Sequence, residues 1–318
     1  MTAMEAARRA VCVAPAIEIE AWGSHAERFA LRHISARVAA VYSRSLHLEA
    51  DGDFLCIGEA SIGKGPLNAL LLSRDWTRLQ GSMPTAGADV RIAHSMVRIG
   101  GAVIRTAAAQ RWCPLPWPRP ATTEGLAAAL EELERIARDR APADGLARPA
   151  LGLPLDRPTV LDRIAQPRVE RLCRWLAARM LGPTPRPPPV ELLGLGPGLT
   201  PSGDDLLCGA LVALHAIGQI DTAHELEVAI AGAAPAATCP LSVAFLKAAV
   251  EGLGAEPLHA TIAAALEGRH ATLARPIEAL GRTGHTSGWD ALAGAVLVLR
   301  AFRTTGRHGA GVARPRNP

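Results

Sequence analysis

The hydrophobic period of this chain changes once, across a proline-rich segment, and that change dictates two unlike halves. Between Arg37 and Trp112 apolar residues alternate with polar ones: VAAVYSRSLHLEA, a turn at Asp51-Gly52-Asp53, FLCIGEA, then DVRIAHSMVRI, Gly100-Gly101 and AVIRTAA. Alternation lines one face of a pleated sheet, and Asp-Gly and Gly-Gly pairs supply the positive φ angles of tight β-hairpins. CPLPWPRP, residues 113–120, ends the pattern, because successive prolines neither donate to a ladder nor continue a helix. Beyond it the period becomes helical. Thr123 to Arg140 is an amphipathic Ala/Leu/Glu run, and Val160 to Leu181 places Leu161, Ile164, Val169, Leu172 and Leu176 at helical spacing, with Pro167 expected to kink or split it. PTPRPPP, residues 183–189, reads as a stiff extended connector, and only helices are expected from there to Phe302. The fold class is therefore α+β: an antiparallel β-rich domain over 1–118, a mainly α-helical domain over 119–303, and a disordered tail over 304–318 that lacks periodic apolar residues.

Composition narrows the function. With 318 residues, 49% of them apolar, the chain can bury a sizeable core without staples. The formal charge of +4 comes from 32 Arg and 2 Lys scattered among 30 carboxylates, and aromatics make up only 3%, so no stacking platform or basic stripe for nucleic acid exists. Cys12, Cys56, Cys113, Cys173, Cys208 and Cys239 lie far apart with no C-x-x-C pair, which reads as reduced thiols in the cytosol. The short apolar run near the start is closed by Glu18 and Glu20, poor grammar for a signal peptide. Leu206 to Ile217 is too short to span a bilayer and carries His215, so a buried helix is expected and no membrane partner. A cytoplasmic protein acting on a small polar ligand fits these features.

Gly194-Leu-Gly-Pro-Gly-Leu-Thr-Pro-Ser-Gly-Asp-Asp205 is a glycine-rich loop entering the apolar helix LLCGALVALHAI. The first N–H groups of a helix have no intrahelical partner and lie at the positive end of its dipole, so an anion is welcome there. Neither a Walker A loop nor a dinucleotide fingerprint is present. Ser202-Gly203, Asp205, Leu207 and Gly209-Ala210 recur at one offset of 85 residues as Ser287-Gly288, Asp290, Leu292 and Gly294-Ala295, and Thr200 pairs with Thr286 after a one-residue deletion. Such a recurrence points to a duplicated loop–helix unit whose two loops face each other. Substrate-binding roles are expected for Gly196, Gly198, Thr200, Ser202, Gly203, Thr286, Ser287, Gly288 and Asp290, and for Lys64 in the turn SIGKGP.

Ser-x-x-Asp is also a capping box, so Asp205 and Asp290 serve equally well as helix-end residues. Gly209 and Gly294 are read as helix-packing positions. Asp204, replaced by Trp289 in the second copy, is not demanded by capping, and with Asp205 and His285 it is the expected catalytic set. The two adjacent aspartates would hold either a Mg²⁺ ion or a ligand amide. His94 and His215 are read as ordinary satisfied groups, since no zinc spacing occurs. Covalent serine catalysis is unsupported, because no G-x-S-x-G elbow exists.

At GLGPGLTPSGDDLLCGAL and GHTSGWDALAGAVLVL the chain resembles the AllH-like subunit family of oxamate carbamoyltransferase. Weaker likeness extends to GKGPLNALL, to the strands from Asp89 to Trp112, and to Ser242, Leu246, Ala249 and Gly252 in CPLSVAFLKAAVEG. The resemblance implies carbamoyl transfer between carbamoyl phosphate and oxamate, or oxalurate phosphorolysis in reverse, in allantoin nitrogen recovery beside other subunits and in an oligomer. Two rival readings accompany it: a non-catalytic binding or assembly subunit, and a Mg²⁺-dependent phosphoryl-transfer enzyme built on the aspartate pair.

Overall fold

The computed structural model describes residues 17–305 except His94. Expectations for the opening segment, Cys12, a strand at His94 and a disordered tail fall outside these residues, save Thr304 and Thr305, which form a turn after the last helix. The chain divides into two compact units: Met1–Ser61 with Asn68–Arg111, and Ile62–Leu67 with Trp112–Pro318.

The first unit is a β-barrel. Its strands are β1 (Ile17–Gly23), β2 (Ser35–Val41), β3 (Ser45–Ala50), β4 (Asp53–Glu59), β5 (Asn68–Leu71), β6 (Asp89–Ala93), β7 (Met96–Ile99) and β8 (Ala102–Arg105). They run β5-β4-β3-β2-β6-β7-β8-β1, and β1 pairs β5 to close the ring; β9 (Gln110–Trp112) adds beside β1. Most pairs are antiparallel, with β1–β8 and β4–β5 parallel. Closure leaves no long open edge. The β3–β4 hairpin turns at Asp51 and Gly52, both at positive φ (51° and 77°), the two-residue geometry that the Asp-Gly pair supports.

Two runs that read as single strands are each a hairpin. VAAVYSRSLHLEA breaks into β2 and β3 at a turn closed by Tyr42 N–H donating to Ser45 O at 2.7 Å, and DVRIAHSMVRI breaks into β6 and β7 with Ala93 opposite Met96. A thirteen-residue strand would extend about 43 Å at roughly 3.3 Å per residue, beyond the usual strand length, so the period-two pattern continues through the reversal. Two short helices, α1 (Ser24–Arg32) and α2 (Ser73–Gln80), add to the expected strands and bury Phe29 and Trp76 against them.

The second unit is helical. Helix α3 (Thr123–Arg140) and α5 (Val160–Leu181) coincide with the amphipathic runs, joined through α4 (Ala147–Leu151). Helix α5 passes unbroken through Pro167, so the expected split does not occur; its Thr159–Asp162 capping box and its buried stripe through Leu172 and Leu176 hold it as one piece. After the prolines come α6 (Ser202–Ala216), α7 (Ile220–Ala237), α8 (Pro240–Val250), α9 (Glu256–Leu266), α10 (Ala274–Leu280) and α11 (Ser287–Arg303). The proline-rich segment is itself packed: Trp117 stacks on His259 of α9 at 4.6 Å between ring centroids. Helices α6 and α11 are buried almost all round, which marks them as the centre of the bundle. No helix among the described residues is long and apolar enough to cross a membrane.

Candidate functional site

The two duplicated helices pack against each other through their glycines. A Cβ on Gly209 of α6 would lie 1.8 Å from Ala291 O of α11, and a Cβ on Gly294 of α11 would lie 1.9 Å from Leu206 O of α6. Ala291 and Leu206 stand at the same offset of 85 residues as the glycines, so each copy presses on the other's equivalent position. The contact is a local pseudo-twofold, available only where a missing side chain lets two backbones meet.

One turn nearer the helix starts, the same symmetry brings the polar residues together. The Ser287 and Thr200 hydroxyls face the carboxyl of Asp205, and the Ser202 and Thr286 hydroxyls face that of Asp290. Each serine therefore looks across to the carboxyl of the opposite copy. Thr200 Oγ1 donates to Asp205 Oδ2 at 3.0 Å and lies 3.1 Å from Ser287 Oγ. The expected facing of the two loops is what the chain does, and the pairing of Thr200 with Thr286 is matched in role.

The capping-box reading does not hold. Both helices begin without a side-chain cap, because Ser202 and Ser287 are the first helical residues and their hydroxyls point across the helix pair. The helix starts are also less open to an anion than their glycines imply. Gly203 N–H donates to Leu195 O at 2.9 Å, Gly288 N–H to Thr283 O at 3.1 Å, and Asp204 and Asp205 N–H both to Pro201 O. A Cβ at Gly203 or Gly288 would fall 1.9 or 2.0 Å from a carbonyl of the preceding segment, so these glycines admit the chain's own backbone. Gly196 (φ 113°) and Gly198 (φ 112°) shape the loop that carries Thr200, and a Cβ at Gly196 would press on Ser202.

Burial dominates the electrostatics of the pair. Asp290 is fully buried and Asp205 8% exposed. Burial, then the charge of Asp290, pushes the Asp205 carboxyl well above the usual range, against the pull of the Ser287 and Thr200 hydroxyls. Burial likewise raises Asp290 to about 6, against hydroxyl and backbone donors. The nearby Cys208 thiol is pushed up by burial and then by Asp205 and Asp204.

A third element completes the site. The turn between α3 and α4 brings Leu146 N–H to Asp290 Oδ1 at 2.6 Å, with Ala147 N–H also facing that carboxyl. Gly145 (φ 82°) is forced to be glycine here, since a Cβ would sit 2.9 Å from both Asp290 oxygens. The other oxygen, Oδ2, is buried and has no hydrogen-bond partner; Ser202 and Thr286 face the carboxyl without closing such a bond to it. Asp144-Gly145 carries a turn signal and no periodicity, so only the tertiary contact reveals its role.

Other expected site residues are engaged elsewhere. Asp204 accepts from Gly194 N–H at 2.8 Å and from the Thr238 hydroxyl, clamping the glycine-rich loop to the end of α7. Consecutive residues do not share a helix face, and both Asp204 oxygens have donors, so Asp204 and Asp205 do not converge on a Mg²⁺ ion. No group of three or more His, Cys, Asp or Glu suited to a metal occurs among the described residues. His285 is exposed, its Nε2 2.8 Å from Asp144 Oδ2. Lys64 pairs with Glu256 at the start of α9, Nζ to Oε1 3.3 Å. His215 Nε2 meets Val250 O at 2.8 Å, the satisfied core group expected of it. Asp204→Ala should lower stability by about 2–4 kcal/mol, because a part-buried N–H and a hydroxyl lose the buried carboxyl that accepts from both. Urea melts measure it; an unchanged midpoint would remove the clamp.

A family model described as oxamate carbamoyltransferase subunit AllH matches residues 192–299, the stretch that holds both loop–helix units. No solved structure matches the chain.

Proposed function

From the AllH-like character of residues 192–299, we propose that the chain is a carbamoyltransferase subunit whose polar centre is Asp205 and Asp290 with the hydroxyls of Thr200, Ser202, Thr286 and Ser287. The reaction is carbamoyl transfer between carbamoyl phosphate and oxamate, or phosphorolysis of oxalurate in reverse. One observation supports the reading: the two copies inside the matched stretch meet so that each serine hydroxyl addresses the other copy's carboxyl, while each threonine faces the carboxyl of its own copy. Transfer requires a nitrogen to lose a proton as it attacks the carbamoyl carbon, with phosphate leaving. A carboxyl held near neutrality exchanges a proton at working pH more readily than an ordinary aspartate. Thr200 and Ser287, both half-buried and 3.1 Å apart across the two copies, orient the ligand beside Asp205.

Calorimetry of the chain with oxamate, oxalurate and carbamoyl phosphate, alone and beside partner subunits, tests this. At least one should bind saturably, and Thr200→Val with Ser287→Ala should weaken it tenfold or more while the melting temperature moves little. Absence of binding by all three, or equal affinity in the double variant, overturns the reading. A second reading, an assembly subunit, draws on the helix-start N–H groups being satisfied within the chain, and that outcome would favour it.

A further inference from the structure

We propose that Asp205 and Asp290 hold a single proton between them, carried on Asp205, so that the site presents a donor and an acceptor suited to an amide rather than to a second carboxylate. The proton assignment stands on burial, the local donors and the facing charges and is independent of the reaction; the ligand class rests on the carbamoyl-transfer reading.

Asp290 lies wholly buried on α11, opposite Asp205 on α6. Its Oδ1 takes the Leu146 N–H, and its buried Oδ2 is left without a donor among the described residues. The charged groups that press on Asp205 are Asp290 and Asp204, both acidic. His285, on the loop before α11, is exposed and tied to Asp144 of the α3–α4 turn. Two buried carboxylates without a cation repel, whereas one proton removes the repulsion and leaves a donor on one carboxyl and an acceptor on the other.

The local donors decide which carboxyl keeps the proton. Asp290 faces the Ser202 and Thr286 hydroxyls and, in addition, the backbone N–H groups of Leu146 and Ala147, which can only donate and so favour its charged form. Asp205 faces hydroxyls alone, Thr200 and Ser287, which rotate to accept as readily as donate and tolerate a neutral acid. Burial and the charge of Asp290 push Asp205 up in the same sense. Asp205, slightly exposed behind the half-buried hydroxyls, is the member that meets the ligand; Asp290 acts through it as a positioning residue. An amide fits such a pair because its carbonyl accepts and its N–H donates.

Carbon-13 carboxyl labelling of aspartate, with a pH titration by NMR, reads the proton directly. Wild type should show one aspartic acid still protonated at pH 7.5; the signal should vanish in Asp205→Asn and titrate at least one pH unit lower in Asp290→Asn. Should Asp290→Asn fail to fold, wild type against Asp205→Asn decides. Full ionisation of every aspartate at pH 7.5, or a protonated signal that survives in Asp205→Asn, overturns the assignment. For the ligand class, oxamate should bind at least tenfold tighter than oxalate, which replaces the amide by a carboxylate. Equal binding overturns that half, whereas failure of oxamate and oxalurate together with an intact titration speaks against the carbamoyl reading instead.

Discussion

Gly209→Ala lowers the stability of the helical unit by about 3 kcal/mol or more, a drop of roughly 6–12 °C in melting temperature for a unit of this size. The added Cβ would lie 1.8 Å from Ala291 O and 2.6 Å from its carbonyl carbon, atoms of a helical backbone that cannot rotate away. The helices must therefore separate, and the buried stripes of α6 and α11 lose contact along their length. Alanine's better helix propensity, about 1 kcal/mol, works in the opposite direction and is too small to compensate. Gly294→Ala should behave alike, since its Cβ would stand 1.9 Å from Leu206 O. Gly232→Ala is the control. It sits inside α7 with nothing within 4 Å of a new Cβ, so the propensity gain should appear alone as a rise of up to about 1 kcal/mol. Thermal melts of the three variants check the set, and a Gly209→Ala melt equal to wild type would remove the close helix pair.

Asp290→Asn gains stability relative to wild type by about 3 kcal/mol between pH 4 and pH 7.5. The folded-state value of about 6 stands above the ordinary 3.8, so the folded chain binds this proton more tightly than the unfolded chain does. The stabilisation from Asp290 is complete below about pH 4 and is lost as pH rises through 6, about two units at roughly 1.4 kcal/mol each. Asparagine does not ionise, so its curve lacks that loss; Asp205→Asn should show the same sign, because burial and Asp290 raise that group too. Denaturant melts at pH 4, 5.5 and 7.5 give the comparison. Parallel curves for variant and wild type would place Asp290 in an ordinary solvated setting.

Much of the fold was legible because period and length are local properties. The α3 and α5 runs coincide with their helices, and the Asp51-Gly52 turn falls where the dipeptide demands positive φ. What escaped was decided by closure and contact. The splitting of two alternating runs, the helices α1 and α2, and the ring formed by β1 and β5 depend on pairing between distant residues. At the site, the repeat at one offset exposed both helices and the residues they share. It could not tell Asp204 from Asp205: adjacent in sequence, they point to different partners, one to Gly194 and Thr238, the other to Thr200 and Ser287.

The sequence by itself determined a β-rich half and a helical half, the duplicated loop–helix unit, and the glycines that mark where two helices meet, since all of these are written in spacing. Only the tertiary structure decided that the serines cross to the opposite carboxyls, that Leu146 and Gly145 close on Asp290, and that Asp204 serves the loop. The reason is directional. A side chain's partner depends on which helix face it leaves from and on what another segment, up to 144 residues away in the Leu146–Asp290 bond, brings within hydrogen-bond reach.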